Sequence, residues 1–143
     1  MTDALQRFVE AQQHTYDLAL REIRHGRKHS HWMWFIFPQL QGLGRSTMAE
    51  HYGIKDLKEA SRYIDHDVLG PRLIQISKAL LETNHLSASE IFGSPDDMKL
   101  HSCMTLFAAV PNSDIVFQRL LDKYFNGIPD QRTFALLRGD DYR

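Results

Sequence analysis

The apolar residues of this chain recur at steps of three and four positions, the spacing that places side chains on one face of a helix. The N-terminal segment shows the pattern most clearly, at Leu5, Phe8, Val9, Tyr16, Ala19, Leu20 and Ile23. Asp3 and Gln6 occupy capping-box positions before this helix, and Gly26 is expected to end it. Alternation with a period of two, which a half-buried strand requires, is almost absent. The pattern predicts an all-α fold, a compact helical bundle of six to eight helices.

The same spacing predicts further helices over residues 56–64, 68–81, 94–110, 113–126 and 130–137. Ser94 is expected to cap the helix that follows it, with Pro95 at the first helical position. Asn112 or Ser113 is expected to cap the next helix.

One short run does not follow the helical pattern. Residues 31–37, HWMWFIF, have the aromatic and β-branched composition of a strand. A lone strand would leave its backbone donors and acceptors unpaired, and no partner strand is evident. We therefore expect a short buried helix or an extended plug at this place.

Length and composition restrict the class of protein. At 143 residues we expect a single helical domain over residues 1–143. The one cysteine, Cys103, excludes an internal disulfide and fits a reducing, cytoplasmic environment. The longest strongly apolar run, 32–37, is far shorter than the ~20 residues that span a bilayer, so we expect no membrane partner. A net charge of −1 gives little reason to expect duplex nucleic acid as a partner.

Residues 29–44, HSHWMWFIFPQLQGLG, contain both tryptophans of the chain. Ligand pockets are mostly apolar, with a few polar groups that orient the ligand. In this interpretation the segment supplies five ligand contacts: His31, Trp32, Trp34, Phe37 and Gln39. The alternative is that the rings are core residues and that each indole N–H has one internal partner. The residues alone favour the core over the pocket.

The helix expected after Ser94 carries a second group of polar side chains. Lys99, Ser102 and Thr105 lie away from its apolar stripe, which is the usual arrangement of a solvent-facing side. If the helix instead packs beside the tryptophan segment, these side chains become polar anchors of the same pocket. We therefore include them among the predicted ligand contacts.

Two other segments have residues that suit an anion. Gly42, Gly44 and Arg45 precede Ser46, and such a loop can direct backbone N–H groups toward a phosphate. The loop lacks the further glycine of a dinucleotide fingerprint and the lysine of a P-loop, so a turn followed by an N-cap at Ser46 is preferred. The basic stretch 21–31 is best explained as the cationic end of a helix, and it also offers charge to a phosphorylated ligand.

The chain contains no convincing metal or nucleophile motif. His25, His29 and His31 lie close in sequence, but no cysteine or acid stands at ligand spacing beside them. Cys103 falls on an apolar stripe and is expected to be an inert buried thiol. We expect no metal site and no cofactor.

Four stretches of the chain resemble a bacterial family of unknown function whose members are sometimes labelled "calpastatin". They are SHWMWFIFPQLQGLGRS, the EAxxYIxHxxLGPRL pattern at 59–73, IFGSPDDMKLHSCMTLFA and YFNGIPDQRTFALL. The resemblance covers almost the whole chain and implies a mostly helical cytosolic protein with no established activity. The "calpastatin" label does not fit, because the protease inhibitor of that name is disordered and this composition is that of a folded domain. The sequence departs from the family at His101, where a basic or small polar residue is expected.

Three functions remain open from the sequence. The first is a small-molecule binding protein for a nucleotide-like or phosphate-bearing ligand, held in an aromatic pocket. The second is a hydrolase of an N-glycosidic bond in an ADP-ribose-like substrate, with Glu50 as acid or base. It is prompted by a resemblance of Glu50-His51-Tyr52 to domains that process such groups. The third is a protein-interaction module with an exposed aromatic patch. The sequence leaves the oligomeric state open.

Overall fold

The computed structural model describes residues 4–84 and 86–139, which form ten α-helices. They are α1 (Gln6–Gln12), α2 (Tyr16–Arg24), α3 (Met33–Ile36), α4 (Thr47–His51), α5 (Leu57–Asp65), α6 (Leu69–Leu81), α7 (Ala88–Phe92), α8 (Asp96–Ala108), α9 (Val116–Phe125) and α10 (Gln131–Leu137). No strand occurs in these two ranges, and the prediction of an all-α fold is confirmed. The predicted number of helices is too low, because the N-terminal helix is divided in two and α7 had no predicted counterpart.

The hydrophobic core surrounds α8. Leu100, Cys103, Met104, Leu106 and Phe107 of this helix are all completely buried. The helix packs against α5, α7, α9 and α10, while α6 packs against α2, α5 and α9. The buried apolar side chains of the described residues belong to one cluster. The single domain expected over residues 1–143 stays a prediction. Within the described ranges, no helix has the length and apolar character that crossing a bilayer requires.

A turn at residues 13–15 separates α1 from α2. Gln12, the last residue of α1, is buried, and its side-chain amide donates to the carbonyl oxygen of Phe35 at 2.8 Å. The same nitrogen donates to the Tyr63 hydroxyl at 2.9 Å. These hydrogen bonds hold the end of α1 against α3 and α5. Apolar spacing alone predicts one continuous helix here, because it contains no information about such tertiary contacts.

Several helix ends differ from the predicted ones. Pro95 is the N-cap of α8, so the helix begins one residue later than expected and has no side-chain cap. The carboxylate of Asp114 accepts from the first backbone N–H of α9 at 2.8 Å, in place of either residue predicted as the cap. Gly26 follows α2 with φ of +79°, as its predicted role as a stop requires. The predicted N-terminal cap, Asp3, lies outside the described residues.

The run 31–37 contains the four-residue helix α3, so the expected short buried helix is confirmed. Three of its four residues, Met33, Phe35 and Ile36, are buried. The helix therefore belongs to the core, and it directs the chain that follows it toward α4.

Candidate functional site

A cleft of ≈ 290 Å³ opens where three parts of the fold meet: the chain around the start of α4, the first half of α8 and the start of α10. Its polar lining residues include Gln39, Arg45, Lys99, Ser102, Asp130 and Arg132. We call it the cationic cleft, because basic side chains outnumber acidic ones in its lining. Three of the predicted ligand contacts, Gln39, Lys99 and Ser102, therefore meet in one place.

The first side of the cationic cleft is fixed by a short parallel bridge between Leu40 and Ile54. Ile54 donates its backbone N–H to the carbonyl of Gln39 at 2.9 Å, and its own carbonyl accepts from the N–H of Gln41 at 2.7 Å. The bridge closes a loop that contains α4. Ser46 caps α4 as predicted, since its hydroxyl accepts a backbone N–H at 3.1 Å.

Close packing in this loop requires a glycine. A Cβ atom on Gly44 would lie 2.7 Å from the Cβ of Ala49, which is nearer than side-chain atoms approach one another. Both residues line the cationic cleft. The absence of a side chain at Gly44 therefore allows the chain to pass close to α4 and brings Arg45 to the rim.

The second side of the cationic cleft is formed by α8 and contains Lys99. The Lys99 ammonium lies 3.5 Å from a carboxylate oxygen of Asp96, one turn earlier in the helix. It also lies 5.0 Å from the centroid of the Trp34 ring. The other Asp96 oxygen pairs with Lys28 at 2.9 Å, and the Lys28 side chain is only 8% exposed. Asp96 thus holds two lysines, one in the interior and one at the cleft.

The third side of the cleft, which is the start of α10, is held against α8 by hydrogen bonds of hydroxyl groups. The Thr105 hydroxyl accepts from the backbone N–H of Asp130 at 2.8 Å. The Asp130 carboxylate accepts from the Thr133 N–H at 3.0 Å and the Thr133 hydroxyl at 2.7 Å, which caps α10. The Ser102 hydroxyl lies 3.4 Å from the same carboxylate oxygen. These contacts place Arg132 at the cleft.

His101 also secures this third side. Its ring nitrogen Nε2 donates to the carbonyl of Ile128 at 2.7 Å, and its ring stacks on Phe125 with centroids 4.0 Å apart. The polar side of α8 is therefore covered by residues 126–130. The prediction that this side faces solvent is wrong, because Ser102 and Thr105 are only 7% and 3% exposed.

Asp130 and Arg132 are cleft residues that sequence reasoning did not identify. They lie about thirty positions from Lys99 along the chain, and their place depends on the hydrogen bonds of His101 and Thr105. Both residues lie in the stretch YFNGIPDQRTFALL, which resembles the family, but the resemblance assigned no role to either of them.

Positive charge is concentrated in the cationic cleft, although the chain as a whole has a net charge of −1. Arg45, Lys99 and Arg132 contribute it, and Asp130 is the one carboxylate among the described lining residues. Lys99 has Asp96 as its partner. Arg45 and Arg132 are exposed, and their side chains have no hydrogen-bond or ion-pair partner in the described part of the chain. Two guanidinium groups are therefore available to an anion.

The two tryptophans have different surroundings. Trp32 is completely buried, and its indole N–H donates to a carboxylate oxygen of Glu22 at 2.9 Å. Phe37 is buried beside it, with ring centroids 6.2 Å apart. Both lie in the core and outside the lining of the cationic cleft. Trp34 is half-buried and lies behind Lys99. Among the described residues, none that lines the cleft has an aromatic ring.

Glu22 of α2 holds residues 29–30, which precede α3, through hydrogen bonds to its carboxylate. Its carboxylate accepts from the N–H of His29 at 2.8 Å, from the N–H of Ser30 at 3.1 Å and from the Ser30 hydroxyl at 2.6 Å. Burial raises the pKa of the Glu22 carboxyl, but the hydrogen bonds from Ser30, His29 and Trp32 outweigh it and lower the pKa to about 2. The group is therefore ionised at neutral pH and serves the core.

The remaining predicted residues lie outside the cationic cleft. His31 is exposed, and Thr105 is buried beneath the start of α10. Glu50 is exposed on α4 and does not line the cleft, so it is not placed to act on a ligand there. Cys103 is buried, and burial raises the pKa of its thiol. Among the residues described, no group of three or more histidine, cysteine or acidic side chains could hold a metal ion.

The fold and the cleft define a small all-helical protein with a cationic cleft beside its central helix. The chain belongs to the family described as "Protein of unknown function (DUF1810)", which matches residues 2–137. Predicted membership of a family of unknown function is thereby confirmed.

One solved structure shows the same fold. The chain is similar to the conserved hypothetical protein Rv1873 from Mycobacterium tuberculosis, whose crystal structure was determined at 1.38 Å. The two sequences are 51% identical, the match covers 94% of this chain and 96% of that one, and the TM-score is 0.92. No curated protein matches the chain.

Proposed function

We propose that this protein binds a small molecule that carries a phosphate group, and that the cationic cleft is the site. The observation that carries the proposal is the convergence of Arg45, Lys99 and Arg132 on one cleft in a protein of net charge −1. The three residues come from three separate parts of the fold. Repulsion among like charges favours their separation, so a cluster of this kind is best stabilised by an anion.

The chemistry of the two arginines suits a phosphate. A guanidinium group presents its N–H donors in a planar fork that matches two phosphate oxygens, and such charge-assisted hydrogen bonds are strong. Neither side chain has a competing partner among the described residues. Both can therefore turn toward a ligand without first breaking an ion pair.

Lys99 is held ready for the same ligand. Asp96 and the face of Trp34 restrict its ammonium group to the side of the cleft. The charge therefore already lies beside the ligand, and the phosphate must compete with Asp96 for it. Gln39 and Ser102 add uncharged polar contacts from the facing sides. Of the aromatic floor predicted from the sequence, the proposal retains only Trp34, which acts through Lys99.

Titration calorimetry and thermal-shift measurements with inorganic phosphate, pyrophosphate and organic phosphates test the proposal. We expect saturable stabilisation that weakens as sodium chloride is added. Replacing Arg45 or Arg132 with glutamine should weaken binding about 10-fold or more, since a hydrogen bond to a charged group contributes roughly 1.5–3 kcal/mol. Arg119→Gln, on the exposed side of α9 and outside the cleft, is the matched control and should bind as the wild type does. Absence of stabilisation by every phosphate-bearing compound would overturn the proposal.

A second candidate, a protein-interaction module, has one observation in its favour. Met98, in the cleft lining, is 65% exposed. Ile128 and Phe134, which precede and follow the start of α10, are 53% and 40% exposed. Exposed apolar side chains favour association when they form a patch. Sedimentation over a range of protein concentrations tests self-association through this region, which Met98→Gln should weaken. Concentration-independent monomers would exclude association between copies of the chain.

A further inference from the structure

We infer that the phosphate ligand of the cationic cleft carries a hydroxylated, non-aromatic group, as a sugar phosphate does, and not a nucleobase. The inference rests on the proposed function and specifies the part of the ligand beyond the phosphate. Three features of the cleft lead to it: its described lining has no aromatic ring, it contains a partly free carboxylate and an amide, and the space is small.

The first feature concerns stacking. Proteins that bind bases without pairing them usually stack each base on an aromatic side chain, at a gain of ~1–3 kcal/mol per base. The apolar lining of this cleft is aliphatic and consists of Leu43, Ala49, Pro95 and Met98. The Trp34 ring lies outside the described lining, behind Lys99, whose ammonium is 5.0 Å from the ring centroid. A base would therefore find no ring to stack on in the described part of the cleft.

The second feature is the carboxylate of Asp130 among three basic residues. One of its oxygens accepts from Thr133 and Ser102. The other oxygen has no donor among the described residues. A carboxylate repels phosphate, so a ligand that fills the cleft must present donors to it. An ammonium donor would meet repulsion from Lys99 and the arginines, whereas a hydroxyl group donates without charge.

Gln39 complements this carboxylate. Its backbone is fixed by the bridge to Ile54, and its side-chain amide has no partner within the described ranges. An amide both donates and accepts, as a hydroxyl group does. Adjacent hydroxyls of a sugar can therefore donate to Asp130 and exchange hydrogen bonds with Gln39 while the phosphate lies on the arginines.

The third feature is volume. The space of ≈ 290 Å³ lies at the lower limit of small-molecule sites, which span roughly 300–1,000 Å³. One phosphorylated sugar suits a site of this size. An ADP-ribose-like molecule, with two phosphates, two sugars and a base, would extend well outside it.

Titration calorimetry with the intact chain tests the inference by comparing inorganic phosphate, ribose 5-phosphate, AMP and ADP-ribose. We expect ribose 5-phosphate to bind at least 10-fold more tightly than inorganic phosphate and than either nucleotide. Gln39→Leu should reduce the preference for ribose 5-phosphate over phosphate at least 3-fold. Gln41→Leu, two positions along and outside the cleft, is the matched control and should retain the preference.

The other outcomes separate the two proposals. If AMP or ADP-ribose binds as tightly as ribose 5-phosphate, or if the sugar adds nothing to phosphate, the inference is overturned and the proposed function stands. If no phosphate compound binds, both are overturned. A Gln39→Leu variant that keeps the full sugar preference would also contradict the inference.

Discussion

The ammonium group of Lys99 lies 5.0 Å from the centroid of the Trp34 ring and 3.5 Å from a carboxylate oxygen of Asp96. It is thus held between a π face and an anion at the side of the cationic cleft. An incoming phosphate competes with both partners for the same charge. Phosphate binding at Lys99 should therefore affect both the fluorescence of Trp34 and the ion pairs of Asp96.

Ligand binding should change the fluorescence of Trp34. A cation near an indole ring affects its emission, so displacement of Lys99 toward a phosphate should alter the signal of this residue. Trp32 is completely buried in the core and should remain constant. We expect the fluorescence titration to give the same dissociation constant as calorimetry. Trp34→Phe should bind the ligand and lose the response, and a response that persists in this variant would disprove the assignment.

Asp96→Asn should weaken the fold and strengthen anion binding. The change leaves the Lys28 ammonium, only 8% exposed, without its carboxylate, which should cost about 2 kcal/mol of the free energy of unfolding. It also releases Lys99 from its competitor. We expect phosphate to bind several-fold more tightly in calorimetry, at a lower midpoint of chemical denaturation. Asp97→Asn removes the same charge from the neighbouring position in α8, and Asp97 has no ion pair within the described ranges, so this variant should show neither effect.

Thr105→Val should weaken phosphate binding, although Thr105 does not line the cleft. The substitution keeps the shape of the side chain and removes the hydroxyl that accepts from the Asp130 N–H at 2.8 Å. Leaving the Asp130 N–H unsatisfied in this partly buried position costs about 1–2 kcal/mol of stability, and Arg132 loses part of its support. We expect phosphate affinity to fall several-fold. Thr105→Ser retains the acceptor and should retain the affinity; equal losses in both variants would assign the effect to packing alone.

Stability should fall in acid because of Glu22. The folded-state pKa of its carboxyl is lowered to about 2, from an ordinary value of 4.5. A lowered pKa contributes stability that is fully present above pH 4.5 and is lost as the pH falls toward 2. The contribution is about 3 kcal/mol. Urea denaturation between pH 5 and pH 2 should show this loss in the wild type and a flatter profile in Glu22→Gln. Glu10→Gln, exposed on α1, should keep the wild-type profile.

Local signals in the sequence were sufficient to predict most helices. The Ser46 cap and the glycine after α2 both act within a few residues, and each lies where it was expected. The division of α1 from α2 depends on Gln12 and its bonds to Phe35 and Tyr63, which are distant in sequence. A pattern of apolar residues cannot reveal such a contact.

The candidate site was predictable only in part for the same reason. The sequence identified polar residues on α8 and the glutamine at position 39, and Gln39, Lys99 and Ser102 do meet in one cleft. The sequence could not show that Trp32 has an internal acceptor in Glu22 and belongs to the core. Nor could it show that Arg132 completes the charge, since that depends on residues 126–130 packing over α8.

The helix α4 contains no buried residue, in contrast to α8, and the loop that carries it is closed by the Leu40–Ile54 bridge. Segments with few buried apolar contacts open locally at a small fraction of the global free energy of unfolding. Amide hydrogens at 41–53 should therefore exchange with deuterium much faster than those of α8. We expect the Arg45 side of the site to open more readily than the Lys99 side, which belongs to the central helix α8, and thereby to admit or release a molecule.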